Sequence, residues 1–209
     1  LQYVVVHAMA SLAEARDNET GNHILRTKNY VRRLAEELLA QGHFAELLNA
    51  AYIEHLCKSA PLHDIGKVGI PDHILLKPDR LTAEEFEVMK THTTLGYEAI
   101  CKAEQALGME VSFLACAKEI ALYHQEKWDG SGYPEGLAGD AIPLSARLMA
   151  LADVYDALIS ERVYKRAFTH EESFAIIEEG RGVHFDPVLV DTFLGIHDEF
   201  REIAQRYAD

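Results

Sequence analysis

The side chains best suited to chemistry lie in small groups scattered along the chain. His63 and Asp64 stand side by side in LHDIGK (62–67), an imidazole and a carboxylate of the kind that bind iron, manganese, zinc or nickel. Lys67 follows one helical turn on, where its ammonium can sit beside an anion held by a metal. In ETGNH, Glu19 and His23 are four residues apart and so share a helical face. His92 is expected to close a capped helix, and His124 stands at the end of an apolar one. Asp153 interrupts the apolar run MALADVYDAL, where a carboxylate needs a metal, a base or water. Asp156, three residues on, reads as hydrogen-bonding support rather than a ligand. Each also has an ordinary reading on its own: polar residues at a helix end, a surface Glu–His pair, a histidine facing the helix dipole, a satisfied core histidine. Together they form a His/Asp/Glu set dispersed over several helices, which is how helical bundles build di-metal sites.

The elements that must position these residues are helical. Residues 5–40 carry Ile24, Leu25, Tyr30, Val31, Leu34, Leu38 and Leu39 at helical spacing, and Gly42 is a stop signal. A second helical region is expected over 44–65, kinked or restarted at Pro61. The stretch TAEE predicts a capping box between Thr82 and Glu85, opening a helix that runs to about His92. Helices are further expected over 96–104, 110–124 and 144–160. Thr169 offers a second capping box, and Asp186-Pro187 opens a final helix over 187–207. Between His124 and residue 144 lies the Gly/Pro-rich loop that begins HQEKWDGSGYP, and so long an irregular loop inside a compact domain points to function. Period-two alternation is nearly absent, so the fold class is all-α.

The 209 residues suit a single domain over 1–209, and a net charge of −14 argues against binding to nucleic-acid polymers or anionic membranes. An anionic substrate would therefore have to meet metals or a few placed bases. No apolar run reaches bilayer-spanning length and nothing resembles a signal peptide, so a cytoplasmic location is expected. Cys57, Cys101 and Cys116 lack metal-type spacing and read as reduced structural residues. The chain begins at Leu1, and residues of about 1–18 are expected to end a connector helix from an upstream regulatory domain.

The motifs ETGNH, LHDIGKVGIPDHIL, MKTHTTLGYE, HQEKWDGSGYPEGLAGDAIP, LADVYDALISERVYK and GVHFDP occur in this order over residues 19–187. The series resembles the HD superfamily of metal-dependent phosphohydrolases, and within it the HD-GYP cyclic di-GMP phosphodiesterases of bacteria. The resemblance implies an HD-type helical bundle around a central multi-metal site, rimmed by a long GYP loop. It implies metal ligation by Glu19, His23, His63, Asp64, His92, His124 and Asp153, with two or three ions, iron or manganese first and nickel or zinc next. Where the family has a further histidine this chain has Gln125, whose neutral carbonyl oxygen suits harder cations. Glu19 thus points to three ions and Gln125 to two or to a weakened position. The resemblance further implies hydrolysis of cyclic di-GMP, or cyclic GMP-AMP, to linear pGpG or GMP. Asp64 would be the bridging carboxylate, and Lys67, Tyr133, Arg162 and Lys165 would contact substrate. A receiver or sensory domain upstream, a homodimer, and a protein partner on the GYP loop are the expected associations. The competing expectation is a catalytically weak signalling module that binds a cyclic dinucleotide or a partner, motivated by Gln125.

Overall fold

The computed structural model describes residues 2–17, 22–108, 111–160 and 167–208. Among the described residues it contains helices, two isolated β-bridges and no strand, so the all-α reading holds. The helical spacing read over 5–40 belongs to two helices, α1 (Gln2–Glu14) and α2 (His23–Ala40). The described turn at residues 15–17 ends α1, and Asn22 precedes α2. Along α2, Ile24, Tyr30, Val31, Leu34, Ala35 and Leu38 are buried, and the helix lies centrally against α3 (Ala50–Ser59), α8 (Leu144–Ile159) and α10 (Pro187–Arg206). Tyr30 stacks on Phe200 at 4.7 Å and meets Tyr155 edge-on at 5.2 Å, and Phe193 completes this aromatic centre. Each such ring contributes about 1.5–3 kcal/mol through removal from water.

The second region departs from a simple helix for a local reason. Asn49 caps α3, accepting from the Tyr52 amide, and the α-helix ends at Ser59. Pro61 cannot donate to the α-helical ladder, and the chain continues as two 3₁₀ turns, Ala60–Leu62 and Ile65–Gly69. A short helix α4 (Asp72–Leu75) follows. The capping box forms as expected at Thr82 and Glu85, opening α5 (Ala83–Lys90). His92 does not close that helix; it opens the next, α6 (His92–Leu107). Between them Thr91 Oγ1 donates to the Val88 carbonyl and His92 Nδ1 to that of Met89, side-chain donors added where one helix gives way to the next.

Helix α7 (Ser112–Tyr123) ends at His124, and α9 (His170–Glu179) starts from the expected Thr169 capping box. Asp186 caps α10, accepting from the Val188 amide. The loop between α7 and α8 is anchored rather than loose. Trp128 and Asp129 donate backbone N–H groups to His184 and Val183 carbonyls, and Asp129 bridges Ala138. The carboxylate of Glu126, almost fully buried, accepts from the amides of Glu135, Gly136 and Leu137. A Cβ at Gly132 would lie 2.4 Å from the Lys127 nitrogen, so only glycine lets the loop fold back on itself there. Cys57 and Cys116 are buried and free, and burial pushes both thiols up to about 11. Among the described residues no helix is long and apolar enough to cross a membrane.

Candidate metal centre

Four histidines meet in the middle of the bundle, each brought there by the end of an element. His23 opens α2, His63 follows the first 3₁₀ turn, His92 sits at the α5–α6 bend, and His124 follows α7. All four are buried. Their Nδ1 atoms are committed: His63 donates to the Ala60 carbonyl at 2.9 Å, His92 to Met89 at 2.8 Å and His124 to Ile120 at 2.9 Å. His23 Nδ1 bonds the Asp156 carboxylate at 2.8 Å. These partners are all acceptors, so every Nδ1 carries the proton and Nε2 is the nitrogen left to offer a metal its lone pair.

Those lone pairs converge. His23 and His63 bring their Nε2 atoms to 3.4 Å, and His92 and His124 bring theirs to 3.5 Å. Two unprotonated nitrogens cannot hydrogen-bond each other, and a shared cation is what such a pair suits. Asp64 stands between the pairs with one oxygen toward each. Its Oδ2 is 3.3 Å from His63 Nε2, and its Oδ1 is 3.3 Å from both His92 Nε2 and His124 Nε2. Oδ1 is buried and has no hydrogen-bond partner among the described residues. Asp153 brings an oxygen to 3.8 Å from His23 Nε2 and 3.9 Å from His63 Nε2. The side chains thus form two adjoining donor groups, His23/His63/Asp153 and Asp64/His92/His124, and nitrogen with carboxylate oxygen fits divalent transition metals.

The electrostatics keep these groups in ligating form. Burial alone would raise the Asp64 carboxyl, but Lys67 and His63 facing it hold it well below the usual carboxylate range. Burial pushes His92 down to about 4, so its ring is neutral at neutral pH. The Lys67 ammonium lies 2.7 Å from Asp64 Oδ2 and also pairs with Asp17. Behind His23, the buried Asp156 accepts from Arg26 Nε at 2.7 Å and Nη2 at 3.0 Å. Burial would raise Asp156, yet His23 and Arg26 hold it down. Tyr133 stands over the site, its ring 6.3 Å from that of His92, and burial with the nearby Asp64 raises its phenol.

Of the residues singled out from the sequence, His23, His63, Asp64, His92, His124 and Asp153 come together, with Lys67 and Tyr133 beside them. Gln125 follows His124 half-buried, and its backbone carbonyl accepts from the Tyr133 amide. Glu19, Arg162 and Lys165 lie outside the described residues. Arg26 and Glu126 escaped the sequence reading, because a lone arginine in a helix and a lone acid in a loop carry no spacing signal. A third grouping, His170, His197 and Asp198, is of another kind. Its rings are 5.3 Å apart, as in the His23–His63 pair, but the facing nitrogens approach to 3.0 Å rather than 3.4 Å. At that distance an N–H···N hydrogen bond joins His170 and His197, and Tyr155 bonds the other nitrogen of His170.

Comparison with known proteins agrees with this arrangement. A model of the HD domain family matches residues 8–189. A protein of Vibrio cholerae named cyclic di-GMP phosphodiesterase is 61% identical over 99% of this chain and 42% of its own length. One of Thermotoga maritima with the same name is 41% identical over 99% of this chain and 52% of its own. A 3'3'-cGAMP-specific phosphodiesterase of Vibrio cholerae is 43% identical over 98% of this chain and 37% of its own. The chain therefore spans about half or less of these relatives. Among solved structures, a cyclic GMP-AMP specific phosphodiesterase of V. cholerae superposes with a TM-score of 0.63 at 22% identity, over 98% of this chain and 53% of that one.

Proposed function

Because the chain belongs to the HD-domain family and, within it, to the HD-GYP proteins, we propose that it is a metal-dependent phosphodiesterase that opens cyclic di-GMP to linear pGpG. A second cut would give GMP. The observation that carries this reading is the set of four histidines with Nδ1 committed and Nε2 converging on a buried, unsatisfied Asp64 oxygen. Relatives named for 3'3'-cGAMP support that cyclic dinucleotide as a second substrate. The proposed setting is bacterial second-messenger signalling in the cytoplasm, as the output part of a larger regulatory protein.

His23, His63 and Asp153 would hold one ion, Asp64, His92 and His124 another, and Glu19 and Gln125 are further proposed donors. Bound iron or manganese would supply a Lewis acid and lower the pKa of the attacking water. The protein's own residues do the rest. Asp64 keeps both oxygens deprotonated and turned to the two donor groups, while the backbone carbonyls fix each imidazole in one tautomer and orientation. Lys67 is placed to exchange its Asp17 partner for a non-bridging phosphate oxygen, where preorganised positive charge stabilises the transition state. Tyr133 shields the His92 side from bulk water, and Arg162 and Lys165 are assigned to substrate phosphates.

The test is product analysis by ion-exchange chromatography with purified protein loaded with iron or manganese and its metal content measured. Appearance of pGpG or GMP is the expected result. A protein with both donor groups filled that yields neither from cyclic di-GMP would overturn the reading.

A further inference from the structure

Helix α5 is unusual in burying nothing, although it lies beside the metal centre. Its Phe86 is 45% exposed, an aromatic ring contributing little to the core. That ring is not isolated. It meets Tyr133 at 6.1 Å with the planes at 85°, and Tyr133 in turn meets His92 at 6.3 Å and 84°. An aromatic series thus leads from a metal-facing histidine out to the exposed face of Phe86. Lys90, one turn after Phe86 on the same helix face, holds its ammonium 5.7 Å from the Phe86 centroid and 5.8 Å from that of Tyr133. Its carboxylate partner is Glu87, at 2.7 Å on the exposed side.

We infer that Phe86 and Lys90, with Tyr133 as their wall, form the subsite for one guanine base of the cyclic dinucleotide; this rests on the phosphodiesterase reading and names where that substrate's base is read. The chemistry selects a purine. The open face of Phe86 is a stacking surface, and aromatic–base stacking needs no sequence-specific contact. The ammonium of Lys90, held over the Phe86 and Tyr133 rings at 5.7 and 5.8 Å, is within reach of the edge of a base stacked on the exposed side of Phe86. Guanine offers two acceptors there, O6 and N7, whereas adenine replaces O6 with an amino donor that a lysine repels. Phe86 therefore supplies affinity and Lys90 supplies the preference for guanine over adenine. Both are specificity residues, remote from the reacting phosphorus and carried on a helix that can change without disturbing the core.

The experiment compares wild type with Phe86→Ala, Phe86→Trp and Lys90→Met, all loaded with manganese and matched for metal content and helicity. Phe86→Ala is expected to raise KM for cyclic di-GMP about tenfold, within the range that stacking supplies, with the change in KM exceeding that in kcat. Phe86→Trp should restore it. Lys90→Met should narrow the preference for cyclic di-GMP over cyclic di-AMP, which has no guanine to offer the subsite, by about five- to tenfold. Calorimetric binding of GMP and of ribose 5-phosphate separates this inference from the one beneath it. If wild type hydrolyses no cyclic dinucleotide, the phosphodiesterase reading fails, but weaker binding of GMP alone to Phe86→Ala still supports the base subsite. If Phe86→Ala weakens GMP and ribose 5-phosphate equally, or neither, the subsite is refuted whatever the enzyme's activity.

Discussion

Replacing Glu126 should loosen the loop that covers the metal centre, and the size of the effect can be worked from its contacts. One carboxylate accepts three backbone amides, from Glu135 at 2.7 Å, Gly136 at 3.1 Å and Leu137 at 3.0 Å. A hydrogen bond to a charged group is worth about 1.5–3 kcal/mol net. Three of them would sum to roughly 5 kcal/mol at the low end, but Glu135 and Gly136 are exposed and water can replace part of what is lost. The expected cost of Glu126→Ala is therefore about 2–4 kcal/mol. Glu126→Gln keeps an acceptor for two amides but turns an NH2 group toward the third, for about 1–2 kcal/mol. In a chain of this size each kcal/mol lowers Tm by about 2–4 °C if the transition is global. If the loop opens locally, the loss appears in the loop alone. Trp128 reports on that directly, being the chain's single tryptophan and lying within the loop under the Arg147 guanidinium. Red-shifted emission and stronger acrylamide quenching are expected for both variants, larger in Glu126→Ala, with the Tm shift measured by circular dichroism. Unchanged quenching together with a Tm within 1 °C or so of wild type in Glu126→Ala would refute the anchoring role.

The metal centre itself yields further expectations. Asp64→Asn, which removes the charge facing both donor groups, should lower bound metal in both, read by elemental analysis after loading; full retention would sink the bridging assignment. Gly66→Ala should fail more severely than an ordinary overpacking change of about 1–3 kcal/mol, since its Cβ would lie 1.9 Å from the His92 carbonyl oxygen. Soluble, metal-competent Gly66→Ala protein would show that the turn and α6 can part without cost. Asp156→Asn should cost about 3–5 kcal/mol by leaving Arg26 and His23 without their buried anion, measured by urea unfolding at neutral pH. Asp156 has a folded pKa below its ordinary 3.8, so its contribution is present above that value and fades as pH falls through the folded one. The wild-type advantage over Asp156→Asn should accordingly shrink only in acid below about pH 4. An advantage that vanishes nearer neutrality would contradict the assignment.

Much of this was legible in the sequence because the signals were local. The capping boxes at Thr82 and Thr169 and the Asp186-Pro187 start announce helices through contacts three residues long, and all three form. The donor residues were legible as types, and the structure brings six of them together. What spacing could not give was direction. His92 opens a helix instead of closing one where the Thr91 and Thr93 hydroxyls and its own Nδ1 add donors to the carbonyls of Val88, Lys90 and Met89, a matter of rotamers rather than period. Residues 60–69 turn as 3₁₀ rather than α because Pro61 ends the ladder and Gly66 must touch the His92 carbonyl, a contact between segments far apart in the chain. Glu126 looked like one more loop acid, since the amides it gathers come nine to eleven residues later and only the folded loop aligns them.

The four imidazoles are oriented by two different means, and the difference divides the site. His63, His92 and His124 each donate to a carbonyl three or four residues earlier, at the end or bend of a helix or turn. Each of those carbonyls already accepts a backbone amide and takes the imidazole N–H on its second lone pair, so the backbone gives the ligand its tautomer with no further side chain to specify. Changing a side chain elsewhere does not remove such support. His23 opens its helix instead of ending one, and no spare carbonyl lies on that side. Its Nδ1 is therefore held by a side chain, Asp156, which Arg26 fixes in turn from one helical turn further along α2. In the group His23/His63/Asp153 one imidazole thus depends on a buried ion pair, whereas in Asp64/His92/His124 both imidazoles are held by backbone carbonyls. Damage to the bundle short of unfolding should release metal from the first group before the second.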